Sequence, residues 1–248
     1  MTFKFTVSPD FTPDHLSGWY IFNTWLQKQT DSAIHLEIYN DFQLQREAIA
    51  HDQIDLIYAN PFDAAMLVRE KGFMPLVKPQ GESDEAIIAV NADSAIQCVT
   101  DLKPGTRVSY TDDPDVRLMG MIMLEPGDLD VGNIQGVPCD TYILVAKHLL
   151  QGDADVGIFL AEAYDDLSEM IKKRLRILVR SQIGVIHHSL MIGPKLKDKK
   201  ELFEKCLLKM AEETKGGGVL ESLGFKGWEK VDEEEMEFMI DLMDTLNV

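Results

Sequence analysis

Residues Asp101–Gly120 read DLKPGTRVSYTDDPDVRLMG, and their order of turn, apolar strand, polar loop and helix start decides how the chain is organised. The Pro104-Gly105 turn introduces a strand-like run that contains Val108 and Tyr110. The helix beyond opens at Pro114, where proline's missing N–H is not needed, with Asp113 before it as N-cap. Amides at a helix start have no intrahelical acceptor, so such a strand-loop-helix junction can hold a polar ligand group. Read blandly, the same residues only cap a helix.

Upstream, Phe3, Phe5 and Val7 alternate with Thr2, Lys4 and Thr6, the period of a strand that Ser8-Pro9-Asp10 ends. From Leu16 to Gln29, Trp19, Phe22, Trp25 and Leu26 recur at helical spacing and predict an amphipathic helix with its aromatic face inward. Ile34, Leu36 and Ile38 alternate as a second strand. A helix from Gln43 to His51 and the short apolar run Ile54–Tyr58 complete a βαβ unit. Past Ala59-Asn60-Pro61-Phe62, a helix carries Met66, Leu67 and Val68, and Met74–Val77 and Ala86–Val90 supply two more strands of a first lobe.

Downstream of the central stretch, Pro126–Pro138 reads as loop and short strand. A helix over Leu144–Leu150, a strand over Ala154–Phe159, a helix over Ala161–Lys173 and a strand over Arg176–Val179 make a second βαβ-type lobe. Ile183–Met191 is extended. Pro194 begins a long helical region broken at Gly216-Gly217-Gly218, and a last helix covers Glu233–Leu246. The fold class is therefore α/β.

Among the 248 residues, 45% are apolar, enough for a packed core, and 24 Lys and Arg against 42 Asp and Glu give a formal charge of -18. Such an acidic protein repels nucleic acid and anionic membrane surfaces. No apolar run approaches the ~20 residues that span a bilayer, so no membrane insertion is expected. Cys98, Cys139 and Cys206 fall in no metal-binding or redox spacing and read as small buried hydrophobes. The phosphate-binding glycine motifs GxxxxGK[ST] and GxGxxG are absent, as are GxSxG and HExxH, so no cofactor, metal or catalytic residue is assigned. In an extended segment, His187 and His188 point to opposite faces, one packed and one exposed. The chain opens directly on MTFKFTVSP, a first strand. A periplasmic location is expected if a leader was removed, and a cytoplasmic one if Met1 is the native start.

Four segments, NDFQLQREAIAHDQIDLIYANPFDAA, DLKPGTRVSYTDDPDVRLMG, HLLQGDADVGIF and GGGVLESLGFKGW, occur in this order. In order and spacing they resemble the PhnD-like phosphate and phosphonate substrate-binding proteins of bacterial ABC importers. The resemblance covers nearly the whole chain. It implies a two-lobed type II periplasmic-binding-protein fold with an interlobe cleft, in a monomer that captures a small polar molecule for an ABC permease or a membrane sensor. The crossings are expected near Ala86–Val90 and Ile183–Leu190, giving a discontinuous lobe of 1–90 and 183–248 and a lobe of 91–182. Two further functions stay open: a cytosolic enzyme on the same fold, of the menaquinone- or thiamine-precursor type, or an orphan domain without ligand.

Carried over residue by residue, the resemblance places Phe42 where the family commonly has a tyrosine and Tyr142 where it often has a histidine. Asn60 follows the strand that ends at Tyr58, and Tyr110 and Asp113 belong to the central loop. These residues lie at strand carboxyl ends or helix starts, where open α/β sheets place their ligands. Where the family shows a Ser/Thr cluster gripping phosphonate oxygens, this chain has Asp112-Asp113-Pro114-Asp115. Proline removes a donor and the carboxylates repel, which argues against a doubly charged phosphonate or phosphate. Arg117, one turn further on, can serve a single carboxylate through its planar fork.

Overall fold

The computed structural model describes residues 2–11 and 13–245. The chain separates into two compact units, one made of the chain up to Glu82 and from His187 on, the other of Ser83–Ile186. In the first unit, in order, lie β1 (Phe3–Val7), α1 (Leu16–Thr30), β2 (Ile34–Leu36), α2 (Phe42–Ala50), β3 (Leu56–Ala59), α3 (Pro61–Lys71) and β4 (Met74–Pro79). The second unit holds β5 (Ala86–Asn91), β6 (Arg107–Tyr110), α4 (Pro114–Leu124), β7 (Gln135–Pro138), α5 (Tyr142–Gln151), β8 (Val156–Leu160), α6 (Ala161–Asp165), α7 (Glu169–Lys172) and β9 (Leu175–Arg180). The chain then re-enters the first unit with β10 (Ser189–Ile192), α8 (Lys200–Leu208), α9 (Thr214–Leu223), β11 (Trp228–Lys230) and α10 (Glu233–Thr245). Leu246, expected to end the last helix, lies outside the described residues.

The first unit's sheet has the order β11-β4-β10-β3-β1-β2. Strand β1 runs parallel to β2 and β3, whereas β10 runs antiparallel to both β3 and β4. The helical spacing of Trp19, Phe22, Trp25 and Leu26 does place all four in the core, with Phe5 and Trp19 meeting edge to face at 6.2 Å. The second unit's sheet has the order β7-β6-β8-β5-β9, with β6 parallel to β7 and β8 and β5 antiparallel to β8 and β9.

Three expectations need correction. Ala86–Val90 does not belong to the first lobe. It forms the strand between β8 and β9, buried along its whole length, so the unit boundaries fall at Glu82/Ser83 and Ile186/His187 instead of at 90/91 and 182/183. An apolar run without alternation is what a strand covered on both faces requires. The helix expected over Ala161–Lys173 is two short helices, α6 and α7, separated at Asp166–Ser168. Nor do the three glycines break a helix, because Gly216, Gly217 and Gly218 lie inside α9 and the break is the 3-10 turn Met210–Glu212. A Cβ on Gly216 would collide with the carbonyl of Met210, and one on Gly18 of α1 with the carbonyl of Ser222 in α9. Glycine at these two sites permits close backbone approach, a reason that overrides its poor helix propensity.

That distinction is measurable in denaturant. Gly216→Ala is expected to destabilise the chain by roughly 1–3 kcal/mol through overpacking. Gly218→Ala, where nothing lies near the added methyl, should stabilise it by about 1 kcal/mol.

Candidate functional site

In the second unit, β6 delivers Tyr110 and the chain leaves through Thr111-Asp112-Asp113 into α4. Asp113 stands at the N-cap position, and its carbonyl accepts from Arg117 N at 3.0 Å to close the first turn. Its side chain makes no cap hydrogen bond, contrary to expectation. Instead Asp113 Oδ2 accepts from the phenol of Tyr142, the first residue of α5, at 2.8 Å. A phenol brought in by a neighbouring helix thus takes the place of a helix amide. Burial, then the charge of Asp113, hold the Tyr142 phenol well above its usual range. Asp115, in the first turn of α4, is 1% exposed, and Asp113 is 5% exposed. Two buried carboxylates therefore occupy the positive end of the helix dipole.

Arg117, half-buried one turn along α4, lays its guanidinium over the Tyr110 ring at 4.5 Å from the centroid. It makes no salt bridge among the described residues. Of the sequence-predicted residues, Tyr110 and Arg117 form one contact and Asp113 and Tyr142 another.

In the first unit, Asn60 is fully buried and caps α3, its Oδ1 accepting from Asp63 N at 2.8 Å. Its Nδ2 donates to Ser8 Oγ at 3.0 Å and to Asp63 Oδ2 at 2.8 Å, so both amide hydrogens are used within the unit. Asp63 in turn accepts a forked pair from Arg46, Nε to Oδ1 at 2.6 Å and Nη2 to Oδ2 at 3.2 Å. The same guanidinium lies 5.3 Å from the ring centroid of Phe42 and 5.0 Å from that of Phe62. Phe42 is thus one side of an aromatic clamp on Arg46. Arg46 and Asp63 were missed in the sequence. The available signal was Arg46 one turn after Phe42, opposite the Asn60-Pro61-Phe62-Asp63 helix start.

Tyr58, next to last in β3, stacks on His188 at 5.2 Å, backed by Trp19, Phe225 and Trp228. The His188 Nε2 lies 3.0 Å from Asp10 Oδ2. Burial pushes the Asp10 carboxyl up, but the charge of His188 and hydrogen bonds from His188 and Ser8 outweigh it, holding the group below the usual carboxylate range. Instead of one packed and one exposed histidine, His187 is buried with Nδ1 3.1 Å from Ser189 Oγ, and His188 is largely buried against Tyr58.

The family model described as "ABC transporter, phosphonate, periplasmic substrate-binding protein" matches residues 5–236. The chain belongs to that family. Its role is that of a substrate-binding component of ABC importers. Solved structures share its fold at low sequence identity. XAC2383 from Xanthomonas citri bound to chloride ion is 15% identical with a TM-score of 0.85, over 99% of this chain and 98% of that one. PhnD1 from Prochlorococcus marinus, in complex with methylphosphonate, is 12% identical with a TM-score of 0.81 over the same shares, 99% and 98%. The periplasmic aliphatic sulphonate-binding protein SsuA from Escherichia coli is 14% identical with a TM-score of 0.66, over 99% and 86%. Comparison with curated proteins finds no match. The fold is thus that of the two-lobed type II binding proteins.

Asp10 gives this family member a defined acid response. Because its carboxyl is depressed in the folded chain, its stabilising contribution is present above the unfolded value of about 3.9 and is lost as pH falls through the lower folded value. Asp10→Asn should therefore cost stability at pH 7, and the gap from the parent should shrink toward pH 3 in denaturant titrations at both pH values.

Proposed function

We propose that this binding protein captures a small polar molecule that is neutral, zwitterionic or cationic, and presents it to an ABC permease. The observation that carries the reading is the start of α4, where a buried Asp113 and a buried Asp115 flank Pro114. A phosphonate dianion received there would meet two carboxylates and one missing amide, losing charge-assisted hydrogen bonds worth about 1.5–3 kcal/mol each. The Tyr142 phenol is already turned toward Asp113 and is not available as a donor to an anion without giving up that bond. Arg117, held over Tyr110 without a salt bridge among the described residues, supplies one planar fork, suited to a single carboxylate. An ammonium or other cationic group on the same ligand is matched by the two aspartates. In the first unit, the reading keeps Asn60 for fixing the turn after β3, while the rings of Phe42 and Tyr58 back Arg46 and His188. Methylphosphonate and aliphatic sulphonate, named with two of the similar structures, belong to the class that this charge arrangement disfavours.

Titration calorimetry with phosphate, methylphosphonate, an alkanesulfonate and a panel of amino acids and amines tests this. The parent chain should show no heat with the anions at millimolar concentration and saturable binding with a zwitterion or amine. Asp115→Ser should raise methylphosphonate affinity at least tenfold. Micromolar binding of methylphosphonate by the parent would overturn the reading.

A further inference from the structure

Three side chains in the second unit, away from the start of α4, bring a nucleophile and a base together. Ser109 lies on β6, Cys139 follows the edge strand β7, and His148 lies on α5. Cys139 Sγ is 3.0 Å from Ser109 Oγ and 3.4 Å from His148 Nδ1, and Ser109 Oγ is itself 3.4 Å from His148 Nδ1. The placement is set by the backbone, because Cys139 N donates to Tyr110 O at 2.8 Å and β7 pairs along β6. Cys139 belongs to the same buried core as Val145, Ala146 and Leu149. The neighbouring Pro138 and Asp140 are exposed, however, His148 is half-buried, and Cys139 itself keeps 9% exposure.

We propose that Cys139 is a base-activated thiol and a modification site for small disulfides and alkylating electrophiles. His148 Nδ1 takes the Sγ proton, and the Ser109 hydroxyl donates a hydrogen bond that stabilises the thiolate. With a small disulfide, the thiolate attacks one sulfur, a new S–S bond forms and the old one breaks. The departing thiolate takes the proton from the imidazolium, so Cys139 is oxidised and the disulfide reduced. Cys139 Sγ also donates to the Val137 carbonyl at 3.6 Å, but among the described residues neither of the other two thiols has a histidine nitrogen within hydrogen-bonding distance. Cys98 is exposed, against the expectation of a buried residue, and its Sγ lies 3.1 Å from the Thr100 hydroxyl. Cys206 donates to the Phe203 carbonyl, and burial pushes its thiol up to about 11.

The three cysteines make the test internally controlled. The reduced full-length chain is treated with iodoacetamide at pH 6 and pH 8, and the modification rate of each cysteine is read by peptide mass spectrometry. An ordinary thiol gains roughly tenfold in rate per pH unit below its pKa. Cys98 should therefore rise about 100-fold between the two pH values, Cys206 should stay slow at both, and Cys139 should change by less than about threefold. His148→Gln should lower the Cys139 rate at pH 6 at least tenfold and give it the pH slope of Cys98. Cys139 staying unmodified while Cys98 reacts, a Cys139 slope equal to that of Cys98, or a rate untouched by His148→Gln in a variant that still melts cooperatively would each overturn the proposal. Should His148→Gln fail to fold, the slopes in the parent chain decide alone.

Discussion

Strands covered on both faces govern this molecule. β3, β5 and β10 are buried at nearly every residue, so no position along them can carry a charge without a buried partner. Polar chemistry is thereby pushed to the strand ends. Tyr58 hands over to Asn60 after β3, and Tyr110 to Asp113 after β6, each at the start of a helix that opens with proline. The two junctions share a design and differ in what binds the capping residue. Asn60 caps its own helix, whereas Asp113 turns to Tyr142 on the next helix.

That difference sets the charge character of the second junction. A helix start offers partial positive charge, and here buried carboxylates of the chain itself already take it up. Two proteins at 15% and 12% identity share the fold at TM-scores of 0.85 and 0.81, so the layout of strands tolerates near-complete replacement of side chains. A handful of loop residues can then change the charge at a strand-to-helix junction without disturbing the sheets that hold it.

Much of this was readable in the residues. Period-two alternation found β1 and β2, helical spacing found the aromatic face of α1, and the Pro114 signal fixed the start of α4 to the residue. Most failures share a cause, since they depended on a partner outside the element being read. The run Ala86–Val90 announces a buried strand but not which sheet it enters. The Gly216–Gly218 tract looks like a break until the Met210 carbonyl is seen against Gly216. Asp113 looks like a cap until Tyr142, 29 residues away, reaches it. The clamp of Arg46 by Asp63, Phe42 and Phe62, and the Ser109-Cys139-His148 cluster, likewise exist only once separate elements have been brought together.

The position of β10 has a consequence for the order in which the molecule is built. This strand lies between β3 and β4 and antiparallel to both, although more than a hundred residues separate it from β4 in the chain. Its Leu190 and Ile192, with Phe203, Leu207 and Leu220 further on, fill the core under α1. On a ribosome, β1 to β4 emerge first and must wait, their central gap open and apolar, while the whole second unit is synthesised. Pairing of such high sequence separation is slow, and an unfilled sheet edge invites association with other chains. The second unit is contiguous and needs no later residue to complete its sheet. It can therefore fold first, leaving the amino-terminal strands as the part of the nascent chain that most needs protection.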